Sequence, residues 1–386
     1  MVTPRVSISG IGVVSAYGWG REPLWDGLMS GKPAATAAPA PGEDSGRRTW
    51  TARVSDEGNR HDGQSRFARA MRAAAREAIQ DAGDRGWRPG RRVGLLHAVV
   101  LGEVDLWRDF YTRREGKVPV REYLALMPST PMSALMQEYG FHGPAMSVSA
   151  MCASGNAGLL TAKAWLDAGI VDDVVFVATD LSLTPENIAH FVQLGVAVVD
   201  TDPLDACRPF QQGSRGFSMG EAAVSFVLSS RSDRPYAQTL GGAMSHDAHH
   251  VTSINPDLTQ ITNCLLEALD NAGVPASAVR LFNAHGPGTA QCDRAEAALL
   301  DRFFPDHTGI YSVKPLVGHC QGAASAIEVA VAAMGYDRGI VPAPPTVAPG
   351  HPRLLDGPTA IAGGLTVKSS IGMGGHNSTV VLAPPA

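Results

Sequence analysis

Apolar positions along the chain fall into two kinds of run. Short β-rich runs recur at Val6 to Ile11, Val93 to Ala98, Ala145 to Val148, Asp173 to Ala178 and Ala222 to Ser229, and each predicts a strand. Longer stretches with helical character lie at Gln64 to Ala82, Ser154 to Ala168 and Asp257 to Asn271. Alternation of this kind predicts an α/β architecture. A charged, proline-containing break at Arg231 to Arg234 interrupts it. The pattern then restarts with Tyr236 to Gly242, a helix, a strand at Ala278 to Asn283, and helices after Asp293 and Gly322. Small-residue helices at Ser154 to Gly169 and Gly322 to Gly335 stand one in each half, which points to an internal duplication with halves at 1–233 and 234–386.

Composition narrows the function classes. At 386 residues with 44% hydrophobic content, the chain can bury a substantial core. Charged residues make up 18% and the formal net charge is −5, so no basic field supports nucleic-acid binding. No apolar stretch approaches the length of a membrane span and none at the start reads as a signal peptide, so a soluble cytoplasmic protein is expected. The cysteines number five, an odd count without CxxC spacing, which argues against a disulfide framework and a zinc ribbon. Cys207, Cys264, Cys292 and Cys320 read as unreactive small residues, with Cys320 of interest beside His319. Ala34 to Gly46, rich in Pro, Ala and Gly, is expected to be a surface loop.

Candidate chemistry sits at turns. In Ser147-Val148-Ser149-Ala150-Met151-Cys152-Ala153-Ser154-Gly155, a strand runs into a helix and places a thiol at the helix start, where dipole and unpaired N–H groups favour thiolate. Asn283-Ala284-His285-Gly286-Pro287-Gly288-Thr289 exposes a histidine at a strand end. Lys314-Pro315-Leu316-Val317-Gly318-His319-Cys320 leads into the second small-residue helix. Together, a thiol, two histidines and a lysine at such turns read as an activated-thiol site.

With these motifs the chain resembles the β-ketoacyl synthases, the condensing enzymes of fatty acid and polyketide synthesis. The resemblance begins at Arg5-Val6-Ser7-Ile8-Ser9-Gly10-Ile11-Gly12 and runs through Cys152, Arg208-Pro209-Phe210 and Arg215-Gly216-Phe217-Ser218-Met219-Gly220-Glu221. It continues through the His285 and Lys314/His319 segments to Ser370-Ile371-Gly372-Met373-Gly374-Gly375-His376-Asn377. It implies a thiolase-like fold, a five-layer αβαβα sandwich of two duplicated halves, the first carrying the nucleophile and the second the His/Lys/His motifs. The implied reaction is decarboxylative Claisen condensation of a Cys-bound acyl group with a malonyl thioester, without cofactor or catalytic metal. Its substrates would ride on the phosphopantetheine of an acyl carrier protein or on CoA, and the enzyme would be a homodimer or a heterodimer.

By the same resemblance, Cys152 is the nucleophile, and the N–H groups of Cys152 and Met373 form an oxyanion hole approached through flanking glycines. His285 and His319 bind the malonyl thioester and stabilise the enolate; Lys314 pairs with Glu296 to orient their loops. Asp293 and Asn377 support the site, Phe217 lines the acyl channel, and Thr289, Thr252 and Pro287 border the pantetheine arm. Asn283 and Glu328 match positions that in relatives help hold a buried structural cation or polar network. Arg66, Arg69, Arg72 and Arg76, at helical spacing, are the candidate stripe for an acidic carrier protein, with Arg113, Arg114 and Lys117 as a second patch.

Departures from the family pattern bear on specificity. Pro287 stands where relatives usually have threonine, Ile371 and Met373 replace frequent phenylalanines, and His376 replaces a common threonine. These favour a specialised ketosynthase over a housekeeping elongase. Two other readings stand beside it: non-decarboxylative acyl transfer from the same thiol, or a catalytically idle ketosynthase-like partner subunit in a heterodimer.

Overall fold

The computed structural model describes residues 6–41, 46–112, 119–361 and 363–385. Its framework is an eleven-stranded sheet. The strands are β1 (Val6–Ser15), β2 (Val93–Ala98), β3 (Ala145–Val148), β4 (Asp173–Asp180), β5 (Ala222–Ser229), β6 (Ala237–His246), β7 (Val279–Asn283), β8 (Gly309–Tyr311), β9 (Leu365–Gly372) and β10 (His376–Ala383), with a short hairpin partner at Gly18–Trp19. Along the sheet the order is β8-β7-β9-β10-β6-β1-β5-β4-β2-β3. Read outward from the centre, β1-β5-β4-β2-β3 and β6-β10-β9-β7-β8 follow the same chain order. In each block the first two pairings are antiparallel and the last two parallel.

The blocks join only at Val6–Ile8 against Ala237–Thr239, which lets the sheet fold back around a middle layer. That layer holds α2 (Ser154–Asp167) and α5 (Ala324–Arg338), which touch strands of both blocks and each other. Outside lie α1 (Arg66–Asp84) against β1, β5 and β4, and α3 (Thr259–Ala272) against β6 and β10. These are the five layers of the thiolase-like sandwich. α5 is buried on every face from Ala324 to Gly335, as a helix between two sheets must be. Gly155 permits the central crossing: a Cβ there would lie 2.6 Å from the Ala326 nitrogen.

Between Ile8 and Val14, β1 has no strand on its β6 side among the described residues, and carboxylates of α1 complete its hydrogen bonding. The N–H groups of Ile11 and Val13 donate to Asp81 and Glu77, each at 2.9 Å. Helix and strand approach this closely because Gly12 has no side chain; a Cβ would stand 2.0 Å from the Ala74 carbonyl oxygen. Gly12→Ala should therefore destabilise the protein by about 1–3 kcal/mol, read as a lower urea midpoint by circular dichroism.

Boundaries expected from sequence shift modestly. β1 extends to Ser15 and β6 to His246, beyond the apolar runs, since both are central strands whose pairing outlasts their hydrophobic pattern. The Ala34 to Gly46 loop contains a strand at Thr36–Pro39 that pairs with Arg48–Ala52; its residues 42–45 lie outside the described residues.

Candidate active site

β3 ends at Val148, and the chain reverses through Met151, a non-glycine residue at φ 49°. Ser154 holds this bend: its Oγ accepts from the Ala150 N–H at 2.8 Å and donates to the Met151 carbonyl at 2.6 Å. Strain at Met151 thus sits next to Cys152, the usual place for a conformation that only surrounding structure sustains. The thiol is buried, 5% exposed, and opens onto a cavity of about 420 Å³.

Two further turns reach the same cavity. β7 delivers His285 through a bend completed by Gly286 at φ 44° and Gly288 at φ 83°. The segment before α5 delivers His319, whose main chain bonds to Ser218 and Gly220. The sulfur of Cys152 and a ring nitrogen from each histidine lie within 4.8 Å of one another. The imidazoles meet edge to face, with centroids 5.4 Å apart, and Phe217 tilts against His319 at 4.7 Å.

Hydrogen bonding fixes one tautomer. The Gln321 N–H donates to Nδ1 of His319 at 3.1 Å, so the neutral ring carries its proton on Nε2. Burial, then Lys314, holds both histidines well below the ordinary imidazole value, so they are neutral N–H donors. The expected thiolate does not appear in the resting site. Burial pushes the Cys152 thiol up to about 11, outweighing Lys314 and the main-chain N–H groups of Met373 and Cys152, which favour the anion. Those two N–H groups form the donor pair expected of an oxyanion hole. Gly372 lets them converge: a Cβ there would meet the Ala150 oxygen at 2.9 Å.

Lys314 does not pair with Glu296. Its Nζ binds Glu328 at 2.9 and 3.0 Å and donates to the His285 carbonyl. Glu296, in α4 (Ala290–Phe303), instead accepts from the N–H groups of His285 and Gly286 at 2.6 and 2.8 Å. The loops are oriented as expected, but by a carboxylate on main-chain donors and a separate buried ion pair. Asp293 accepts from the Phe210 N–H at 2.9 Å, and burial pushes its carboxyl up to about 7. Asn377 lies behind the cavity, donating to Asp247 at 2.6 Å.

Phe217, Met373, Thr289, Thr252, Pro287 and Ile371 all line the cavity. Phe191, Val196, Phe217 and Met373 pack together as an apolar wall, while Thr252, Ser253 and Gln291 supply polar lining. Cys292 lines it too, missed because nothing distinguishes it in sequence from a core thiol. His376 pairs edge to face with His246 at 4.9 Å rather than with the reactive cluster, and Cys320 is sealed in the core. Sequence reasoning also missed Lys368, whose Nζ lies 2.6 Å from Glu328; the available signal was a single charge in the strand-like run Leu365–Gly372.

The arginine stripe is not a free docking face. Arg66 binds Glu221 and Asp105, Arg69 is fully buried against Asp56, and Arg72 and Arg76 share Asp62 and Glu138. Helical spacing looks the same whether a row is solvated or paired. Arg113, Arg114 and Lys117 lie outside the described residues. No helix among the described residues is long and apolar enough to cross a membrane.

The family model for the β-ketoacyl synthase N-terminal domain matches residues 3–234, and that for the C-terminal domain matches 236–347. The oxytetracycline polyketide putative β-ketoacyl synthase 1 of Streptomyces rimosus is 31% identical over 99% of this chain and 97% of its own. The chloroplastic 3-oxoacyl-(acyl-carrier-protein) synthase I of Hordeum vulgare is 28% identical over 98% of this chain and 89% of its own. Among solved structures, a chain from a type II polyketide synthase complex of an acyl-carrier protein with its hexaketide-bound ketosynthase superposes with a TM-score of 0.86 at 23% identity, covering 99% of this chain and 100% of that one. A chain of the ishigamide ketosynthase/chain length factor gives 0.84 at 24% identity, with full coverage of both. The structural likenesses carry the fold, and the two domain models, meeting around Cys152, His285 and His319, carry the assignment: the chain belongs to the β-ketoacyl synthase family, acyltransferases of the 3-oxoacyl synthase type.

Proposed function

We propose that this enzyme condenses a Cys152-bound acyl group with a malonyl thioester in a type II polyketide pathway. One observation carries the reading: a buried thiol and two neutral imidazoles converge within 4.8 Å on one cavity. In acyl transfer, the Cys152 sulfur bonds to the thioester carbonyl carbon and the pantetheine sulfur departs with the thiol proton. The N–H groups of Cys152 and Met373 stabilise the oxyanion. In condensation, His285 and His319 donate to the malonyl thioester oxygen as the C–C bond to the carboxylate breaks and CO₂ leaves. The enolate then attacks the acyl carbonyl, the carbon–sulfur bond breaks, and the Cys152 sulfur recovers a proton from solvent. Neutral imidazoles suit this step because each offers an N–H without needing to release a proton. No cofactor takes part.

Phosphopantetheine of an acyl carrier protein is the proposed delivery arm. The cavity is lined near its opening by Thr252, Ser253 and Thr289, and by Arg215, an exposed cation suited to a phosphate. Relatives of this fold include a ketosynthase solved with its acyl-carrier protein, which supports the reading. Association through β3 is also proposed: this strand is one of the two end strands of the sheet and Met146 on it is 41% exposed. A homodimer satisfies the unpaired edge, and a chain-length-factor-like subunit is the alternative occupant. Free cysteines, all buried, fit a reducing cytoplasmic setting.

Intact-mass measurement tests the two half-reactions separately. Acyl thioesters should add one acyl mass at Cys152, and malonyl carrier protein should then discharge it with CO₂ release. Full product formation without a malonyl donor would overturn the proposal in favour of simple acyl transfer.

A further inference from the structure

β9 carries Leu365-Thr366-Val367-Lys368-Ser369, and its parallel pairing sets Lys368 opposite Asn283, two residues before His285. The lysine is wholly buried. Its Nζ lies 2.6 Å from Oε2 of Glu328, 2.9 Å from the Ala284 carbonyl oxygen and 3.4 Å from that of Asn283. Lys314 holds the same carboxylate and donates to the next carbonyl, that of His285. Three consecutive carbonyls, from residues 283 to 285, therefore point at two ammonium groups bridged by one carboxylate.

Carbonyl oxygens gathered in a dry interior repel one another and demand a cation. Two main-chain carbonyls and a carboxylate are the donor set of a hard metal ion. Here that place is taken. An ammonium nitrogen in hydrogen-bond contact with all three oxygens leaves neither the space nor the charge balance for a metal, so the buried structural cation that the resemblance associates with Asn283 and Glu328 does not fit these residues. Glu296 holds the other side of the turn through the N–H groups of His285 and Gly286.

We infer that Lys368 is a built-in cation: its ammonium does the work of a bound metal ion, pinning the turn that carries His285, and so acts as a positioning residue for malonyl decarboxylation. The inference concerning catalysis rests on the proposed condensation; the ion replacement does not. Behind burial and Lys314, Lys368 also helps keep both histidines neutral. Its reach toward Cys152 is indirect, so acyl loading is largely independent of it.

The test uses the full chain with Lys368→Ser and Lys368→Met, in buffer whose only cation is tetramethylammonium, too large to enter. Lys368→Ser should lose condensation by about 10- to 100-fold while acyl loading of Cys152 changes little. Ammonium or potassium chloride should restore most of the loss and raise the melting temperature of this variant. Wild type should respond to neither ion. Lys368→Met, whose thioether fills the space without charge, should not be rescued. Full activity of Lys368→Ser without a small cation, or failure of both ions to raise its melting temperature, would overturn the inference. Should wild type prove unable to condense, the melting arm still decides the ion replacement on its own.

Discussion

Cys152→Ala should show no mass gain with any acyl thioester, and condensation should fall by roughly 10⁴-fold or more. The size of the effect follows from what the thiol does. Among the described residues it supplies the only sulfur clustered with both histidines, and it sits against both main-chain donors. Cys292 lines the same cavity, but burial holds its thiol above the ordinary value as well, and it stands outside the cluster of Cys152, His285 and His319. Removing one sulfur atom from the turn leaves the Ser154 hydrogen bonds intact, so the variant should fold with at most about 1–2 kcal/mol lost. Peptide mapping of the acylated wild type should locate the group on Cys152. Acylation of the alanine variant at Cys292 would sink the assignment.

His285→Ala should separate the two half-reactions. Condensation is expected to drop by about 10²- to 10³-fold, the typical loss for one donor to a developing oxyanion, while Cys152 still loads within roughly tenfold. The pH profile gives a second reading. An ordinary imidazole, with a pKa of about 6.5, would protonate as pH falls through that value. In this site burial, then Lys314, His319 and Lys368, lowers the His285 pKa, so the neutral form persists to lower pH. Wild-type decarboxylation should therefore hold its rate from pH 7 down through about pH 6. An acid limb centred near 6.5 would show that the imidazole is not held neutral by its surroundings.

Much of this site was legible in the chain because its chemistry sits on sequence-local turns. Cys152 and His285 each follow a strand, His319 follows a helical turn, and all three stand beside glycine or small residues; that local grammar survives folding. What failed depended on distant partners. Glu296 was matched to Lys314, but midway along its helix it faces the N–H groups of His285 and Gly286, while Glu328, inside an all-buried helix, meets both lysines. The arginines of α1 kept their helical period, yet Glu138 and Glu221 neutralise them from elements that periodicity cannot locate. The thiol's ionisation was misjudged for a related reason. A helix start favours thiolate, but burial is a property of the whole packed domain and prevails. Lys368 was the readable anomaly: a single charge in the run Leu365–Gly372, which folding buries and answers with Glu328.

The repeated strand order carries a repeated turn. Met151 and Gln321, both at positive φ, stand three residues before α2 and α5, so Cys152 and Gly322 occupy corresponding places in the two blocks. At one place a sulfur faces the cavity; at the other an N–H is committed to Asp180. The repeated plan therefore presents two equivalent turn positions, and a nucleophile stands at one of them. Its twin holds His319 through the Gln321 N–H on Nδ1, so a change in the second turn would reach the reaction through the aim and tautomer of that ring.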